Sequence, residues 1–203
     1  PNPDLRWEKK TTFNTGIEFA TLNGRLNGTV EYYNAITSDL FLERPLSLTT
    51  GFPEITSNIG ELRNSGVEVS LDANIIKTSN FRWNISGNFT YNKNQVNKLL
   101  EGQDQIIEGL TILRPGESMN SIFVVPYEGV NPANGNALYR KLDGSITEVY
   151  DPADRVIVGS YETPYFGGFG TSLSYKGLEF STLFSFVMGN KIYNNDRNNV
   201  ENP

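Results

Sequence analysis

The chain has 203 residues, a formal net charge of -6 and 37% hydrophobic residues, and it contains neither cysteine nor histidine. Disulfide frameworks, thiol nucleophiles and the commonest general base and transition-metal ligand are therefore excluded, and most enzyme classes with them. The 17 basic residues are scattered rather than clustered, which argues against nucleic acid, and no window approaches the ~18 apolar residues of a membrane helix, which leaves a membrane barrel open.

Six stretches alternate apolar and polar residues with period two, in three hairpins predicted near residues 9–36, 65–98 and 165–189. In the first, Phe13, Ile17 and Phe19 oppose Asn14, Gly16 and Glu18, and the pattern resumes after Asn23-Gly24 as Leu26, Gly28, Val30 and Tyr32. A hairpin closed on Asn-Gly pairs Thr21 with Leu26, Phe19 with Gly28 and Ile17 with Val30, so the apolar faces coincide. A long connection near 37–64 holds a short strand within residues 39–48 (DLFLERPLSL), which Pro45 confines to an edge or bulge.

The second hairpin sets Val67, Val69, Leu71, Ala73 and Ile75 against Glu68, Ser70, Asp72 and Asn74. It returns with Phe81, Trp83, Ile85, Phe89 and Tyr91 on the apolar side. Only a loop with an odd residue count, such as Thr78-Ser79-Asn80, keeps the two apolar sets together. A second long connection near 99–164 is expected to hold an apolar strand over 121–130, and a small external hairpin of Ala137-Leu138-Tyr139 and Ile146-Thr147-Glu148 around Asp143-Gly144. The third hairpin turns at Lys176-Gly177 and pairs Tyr175 with Leu178, Leu173 with Phe180 and Phe169 with Phe184; Leu183 and Val187 interrupt its polar face. Strands alternate in direction, so the short turns lie at one end of the sheet and both long connections at the other. Outer-membrane barrels have this asymmetry, and so do sandwiches that carry binding loops at one end.

The side chains that could carry chemistry have quieter explanations. Asp143, Asp151 and Asp154 are spaced somewhat like a calcium loop without its Asp series or terminal Glu, and turn capping is the preferred reading. Glu18, Glu31, Glu68 and Asp72 on polar strand faces suggest the carboxylates of a glycosidase less than a hydrated barrel wall. Trp7, Tyr33, Tyr127 and Tyr139 suit sugar stacking or interfacial anchoring equally. The Asn-X-Ser/Thr triplets at Asn27, Asn84 and Asn88 lie within strands, where a glycan would obstruct pairing. No catalytic residue, metal site or cofactor is assigned.

Several strings resemble the C-terminal barrel region of SusC/RagA-type TonB-dependent outer-membrane transporters of Bacteroidetes. They are NPDLRWEKKTTFNTGIEF from Asn2, VEYYNAITSDLFL from Val30, SNIGELRNSGVEVSL from Ser57, FRWNISGNFTYNKNQV from Phe81, GVNPANG from Gly129 and DRVIVGSYETPYFGGFGTSLSYKGLEFS from Asp154. The resemblance covers nearly the whole chain in order. It implies an all-β segment of long antiparallel meander hairpins from a 22-stranded transmembrane barrel that imports glycans, or peptides in some members, with a SusD-like lipoprotein lid and energy from TonB. The opening Pro1-Asn2-Pro3-Asp4 reads as the middle of something longer. Without a plug domain or TonB box, the expectation is of about six wall strands and two large extracellular loops. The loop from about 102 to 161 would meet substrate or lid, with Tyr127, Tyr139 and Asp143 as contacts and outer-membrane lipid around the wall. The competing expectation is a soluble β-sandwich acting as a carbohydrate-binding or adhesin module.

Overall fold

The computed structural model describes residues 3, 5–58, 60–99 and 103–194. Strands β1 (Lys9–Thr21) and β2 (Leu26–Ser38) form the first hairpin, and β3 (Phe41–Pro45) and β4 (Glu54–Asn58) a ribbon inside the first long connection. The second hairpin is β5 (Glu61–Lys77) and β6 (Phe81–Lys98). The second connection contains β7 (Ile106–Glu108), β8 (Thr111–Leu113), β9 (Ser121–Val124), β10 (Tyr127–Val130), β11 (Ala137–Arg140), β12 (Ile146–Thr147) and β13 (Val156–Ser160). Strands β14 (Tyr165–Tyr175) and β15 (Leu178–Met188) complete the third hairpin. The long strands join in the order β1-β2-β5-β6-β14-β15, every pair antiparallel, as one up-and-down meander.

Turn chemistry and side-chain pattern agree on the register. Asn23 and Gly24 adopt φ of 56° and 76°, and Lys176 and Gly177 adopt 46° and 89°. Positive φ at both central residues is the type I′ geometry whose twist matches that of the flanking strands. Thr21 pairs with Leu26 and Ile17 with Val30, while Tyr175 pairs with Leu178 and Phe169 with Phe184, as the alternation predicts. A Cβ on Gly28 would stand 2.6 Å from Phe19 Cζ and 2.7 Å from Leu71 Cδ2. The Phe19 ring thus fills the space over a strand glycine.

The second hairpin reaches the expected face by another route. Lys77 pairs with Arg82, which leaves four residues in the turn, an even count that alone would flip one apolar set to the other side. A one-residue bulge restores the parity: Asn74 pairs with Asn84, Ile75 is passed over, and Ile76 pairs with Trp83. Arg25 secures the bulge, with its Nε donating to Asn74 O at 3.0 Å and its Nη2 donating to Ile75 O. The odd loop expected from the sequence is thus replaced by an even loop plus a bulge, because a guanidinium on the neighbouring hairpin satisfies the displaced carbonyls.

One face of the meander carries Ile17, Val30, Leu71, Ile85, Phe169 and Phe184 with no charge among them, and nothing packs over it. Ile17 remains 70% exposed, Leu71 45% and Phe169 54%. Two rows of aromatic residues bracket the band. At the short-turn end Phe81 meets Tyr175 edge to face and Trp83 Nε1 donates to Thr171 Oγ1 at 2.8 Å; at the loop end Tyr91 stacks on Tyr165 at 5.3 Å. Ten residues separate the rows on β14. That is about 34 Å along a strand and about 26 Å along the normal at a 40° tilt, against an apolar band of about 25 Å in outer-membrane barrels. A sandwich would have buried this face under a second sheet.

The opposite face is polar and hydrogen-bonded across strands. Asn84 Nδ2 donates to Asp72 at 3.0 Å, and the Tyr33 hydroxyl crosses the glycine at position 66 to donate to Asn92 Oδ1 at 2.7 Å. Tyr33 is therefore a latch between strands rather than an open stacking platform. Leu183 lies over Gly168 and Gly170, which explains its presence among polar neighbours.

The buried apolar cluster sits at the loop end, where Val96, Leu99 and Ile106 pack with Leu62, Leu113 and Met119. The wall has no interior of its own.

Two outcomes follow for the full-length parent protein. Leu71→Arg, near mid-band, is expected to cost about 2–4 kcal/mol of membrane stability and to deplete the inserted, heat-modifiable form, whereas Asp72→Arg leaves insertion close to normal; equal insertion of the two variants would contradict the lipid-facing assignment. Gly28→Val is expected to destabilise by about 1–3 kcal/mol through overpacking, with partial recovery in the Phe19→Ala background, read as unfolding midpoints in urea.

Candidate functional site

The second long connection is an ordered layer rather than a tether. Strands β13, β9, β8 and β7 form a four-stranded sheet in that order, and β10, β11 and β12 a three-stranded one. The single apolar strand expected over 121–130 is broken at Val125-Pro126, so that β9 joins the first sheet and β10 the second. Pro126 has no N–H to offer a ladder, while its carbonyl accepts from Arg140 N at 3.0 Å. The external hairpin of β11 and β12 forms where the sequence puts it.

Register places Tyr127 opposite Tyr139, with ring centroids 6.3 Å apart. Tyr150 adds a third ring, edge-on to Tyr139 at 5.4 Å. Tyr127 and Tyr150 are 59% and 51% exposed, and Tyr139 between them is half-buried. Beside this run Arg140 pairs with Glu128 at 2.7 Å. The arrangement is a solvent-facing aromatic ridge braced by an ion pair, suited to stacking and edge hydrogen bonds. The sequence singles out two of its three rings; Tyr150 lies outside any strand, where no periodicity marks it.

Asp143 does not join the ridge as a partner. Its carboxylate accepts from Ser145 N at 2.9 Å and Ser145 Oγ at 2.6 Å, closing the turn at the hairpin tip. Those bonds hold its carboxyl below the usual aspartate range. Asp151 caps the N-terminus of the short 3-10 turn over Pro152–Asp154 by accepting from Ala153 N, and Asp154, buried, accepts from Leu142 N at 3.1 Å. Asp143 and Asp151 thus serve local turns, and Asp154 ties the short 3-10 turn to the hairpin tip twelve residues earlier.

Glu148 is the residue the sequence did not reveal. Two amides of the GVNPANG segment and that of the next residue converge on it: Asn131 Nδ2 at 2.5 Å, Asn134 Nδ2 at 2.9 Å and Asn136 Nδ2 at 2.7 Å. Together they keep its carboxyl below the usual glutamate range. The β10–β11 loop is folded around a carboxylate 12 to 17 residues away in sequence, and only the three asparagines at short spacing signalled a common acceptor.

Comparison with known proteins agrees with this architecture. A family model described as "TonB dependent receptor-like, beta-barrel" matches residues 1–200. TonB-dependent receptor P3 of Formosa agariphila is 31% identical over 95% of the chain and 22% of its own length. TonB-dependent receptor SusC of Bacteroides thetaiotaomicron is 31% identical over 95% of the chain and 20% of its own length. Among solved structures, the RagAB peptide transporter superposes with a TM-score of 0.89 at 31% identity, over 97% of the chain and 23% of that chain. The chain spans about a fifth of the length of these relatives. With its uncovered apolar face, its polar opposite face and its ordered loops at one end, the chain belongs to the TonB dependent receptor-like β-barrel family, a family of outer-membrane transport proteins and not of enzymes.

Proposed function

We propose that the chain is a wall segment of an outer-membrane transporter that takes up glycan fragments together with a SusD-like lid lipoprotein, with energy delivered by TonB through a plug that fills the barrel. The carrying observation is the six-stranded meander with one face that is uncovered and, between its aromatic rows, uncharged, and one polar face, a surface that suits the wall of a membrane barrel. In that setting the short turns face the periplasm, and the connections over 37–64 and 99–164 face outward. The ridge of Tyr127, Tyr139 and Tyr150 is then the contact surface for substrate or lid, while Asp143 acts indirectly, by holding the hairpin tip. A second reading, peptide uptake, is favoured by the close superposition on the RagAB peptide transporter; exposed tyrosines serve either cargo.

The double substitution Tyr127→Ala, Tyr150→Ala in the full-length parent is expected to leave insertion intact and to lower uptake, or association with the lid lipoprotein, by about tenfold, the loss of roughly 1.4 kcal/mol of contact. Normal uptake and normal complex formation in a properly inserted variant would remove the ridge from the recognition surface. Parallel uptake assays with oligosaccharides and with peptides of similar length decide between the two cargoes.

Glu148 gives a pH-dependent readout of the same loop. Its folded-state pKa is depressed, so its contribution to loop order is present above the ordinary glutamate value of about 4.3 and is lost as pH falls through the folded value. Amide protection over 131–136, corrected for intrinsic exchange, is expected to fall on acidification below about pH 4 in the unsubstituted protein. In Glu148→Gln it should be low at neutral pH and flat across that range.

A further inference from the structure

Above the loop-end aromatic row the outward face changes character. The alternation that places Val67 and Tyr91 on the apolar side continues without a bulge, so Ser65 and Arg63 on β5 and Lys93 and Gln95 on β6 point the same way. Ser65 pairs with Lys93 and Arg63 with Gln95, which makes Arg63 and Lys93 diagonal neighbours on adjacent strands, within about 7–8 Å. Asn34 faces them from β2, opposite Ser65, and its Oδ1 accepts from Arg63 Nε at 2.6 Å. That bond engages one edge of the guanidinium and leaves its outer N–H donors for another acceptor. Among the described residues, neither Arg63 nor Lys93 forms an ion pair, whereas the nearby outward-facing Lys9 is matched by Asp39 at 3.8 Å.

Lys93, two residues beyond Tyr91, lies about 7 Å further along the strand and about 5 Å further along the membrane normal, and Arg63, which pairs with Gln95, lies about twice as far. Belt tyrosines sit at the headgroup level, so the two cations lie where lipid phosphates lie. Below them, on the same face, the surface is indented. A shallow apolar cleft of about 420 Å³ runs over Val69, Leu71, Ile85, Gly87, Phe89 and Phe169. A fixed guanidinium beside an ammonium matches a phosphate, the first in forked geometry and the second as a point charge.

We propose that Arg63, held by Asn34, and Lys93, on the same outward face as the apolar cleft that lies below Tyr91, form a docking site for a phosphorylated membrane lipid, with the headgroup phosphate held by the two cations and an acyl chain passing over Tyr91 into the cleft. The occupant is a lipid rather than free phosphate because charge and cleft are stacked along one outward face at the spacing of a headgroup over its hydrocarbon. The proposal rests on the transporter reading for the placement of this face in a membrane, but it does not depend on what is transported.

The test uses the full-length parent purified in uncharged detergent, with diphosphorylated lipid A as the probe and its dephosphorylated form as the comparison. Binding is followed by native mass spectrometry and by titration. In the double variant Arg63→Gln, Lys93→Gln, the apparent Kd for the phosphorylated probe is expected to rise about tenfold or more, the loss of charge-assisted bonds, while the dephosphorylated probe binds both proteins weakly and alike. Lys93→Arg is expected to retain the affinity. Lys93→Gln alone carries the same test, with a smaller shift, if the double variant does not insert. Unchanged binding in the glutamine variants, equal binding of the two probes by the unsubstituted protein, or displacement of the lipid by inorganic phosphate at matched concentration would each overturn the proposal. Substrate uptake and its TonB dependence, measured on the unsubstituted protein, report separately on the transporter reading.

Discussion

The structure depends on one constraint: in hydrocarbon no water is present to satisfy a backbone N–H or C=O, so every strand must borrow its partners from a neighbour. The meander meets it with long, nearly uninterrupted ladders, 13 pairs between β1 and β2 and 11 between β14 and β15. Length comes first and the side chains adapt to it. Gly28 accepts the Phe19 ring, the glycine at 66 lets Tyr33 cross, and Gly168 and Gly170 lie under Leu183. Where the ladder slips at Ile75, Arg25 meets the displaced carbonyls. The slip lies at the short-turn end, level with Trp83, and a side chain from the turn of the preceding hairpin satisfies it.

The two parts of the chain are stabilised by different physics. The wall keeps its large apolar side chains exposed and relies on hydrogen bonds and cross-strand packing, such as Phe169 on Phe184 at 5.1 Å. The loop layer has a conventional interior around Ile112, which is fully buried, with Ile122 and Val125 nearby in burial, and the hydrophobic effect of water supports it. Two of its turns are closed by Asp143 and Asp151 and its β10–β11 loop by Glu148.

How much of this was legible in the sequence follows from the range of the interactions. Period-two alternation and type I′ turn residues are local, and they specified the pairings of Phe19 with Gly28, Leu173 with Phe180 and Phe169 with Phe184. The bulge at Ile75 was invisible because it compensates for an even loop and leaves the apolar pattern where an odd loop would have put it. The break at Pro126 was hidden by the apolar run of Ile122 to Val125 before it and by Tyr127 and Val130 beyond it. Strand pairing also continues to Glu61, beyond the apolar pattern of β5, since outside the hydrocarbon band both faces are polar and the period vanishes while the hydrogen bonds persist. In the loop layer Tyr127 and Tyr139 were identified by type and found adjacent, whereas Tyr150 and Glu148 act through contacts that no short-range pattern encodes.

The cluster of Val96, Leu99 and Ile106 has a bearing on how such chains diversify. It joins the last residues of a wall strand to the first strand of the loop layer, and Asn92 N, also on β6, donates to Pro164 O as the chain re-enters the wall. Exit and re-entry therefore flank a single strand, and the intervening residues close on themselves through their own sheets. An insert with these properties behaves like a cartridge: its outer surface can be replaced wholesale while the barrel lattice beneath keeps its shear and register, provided that Leu62 and Val96 find an apolar partner in the replacement.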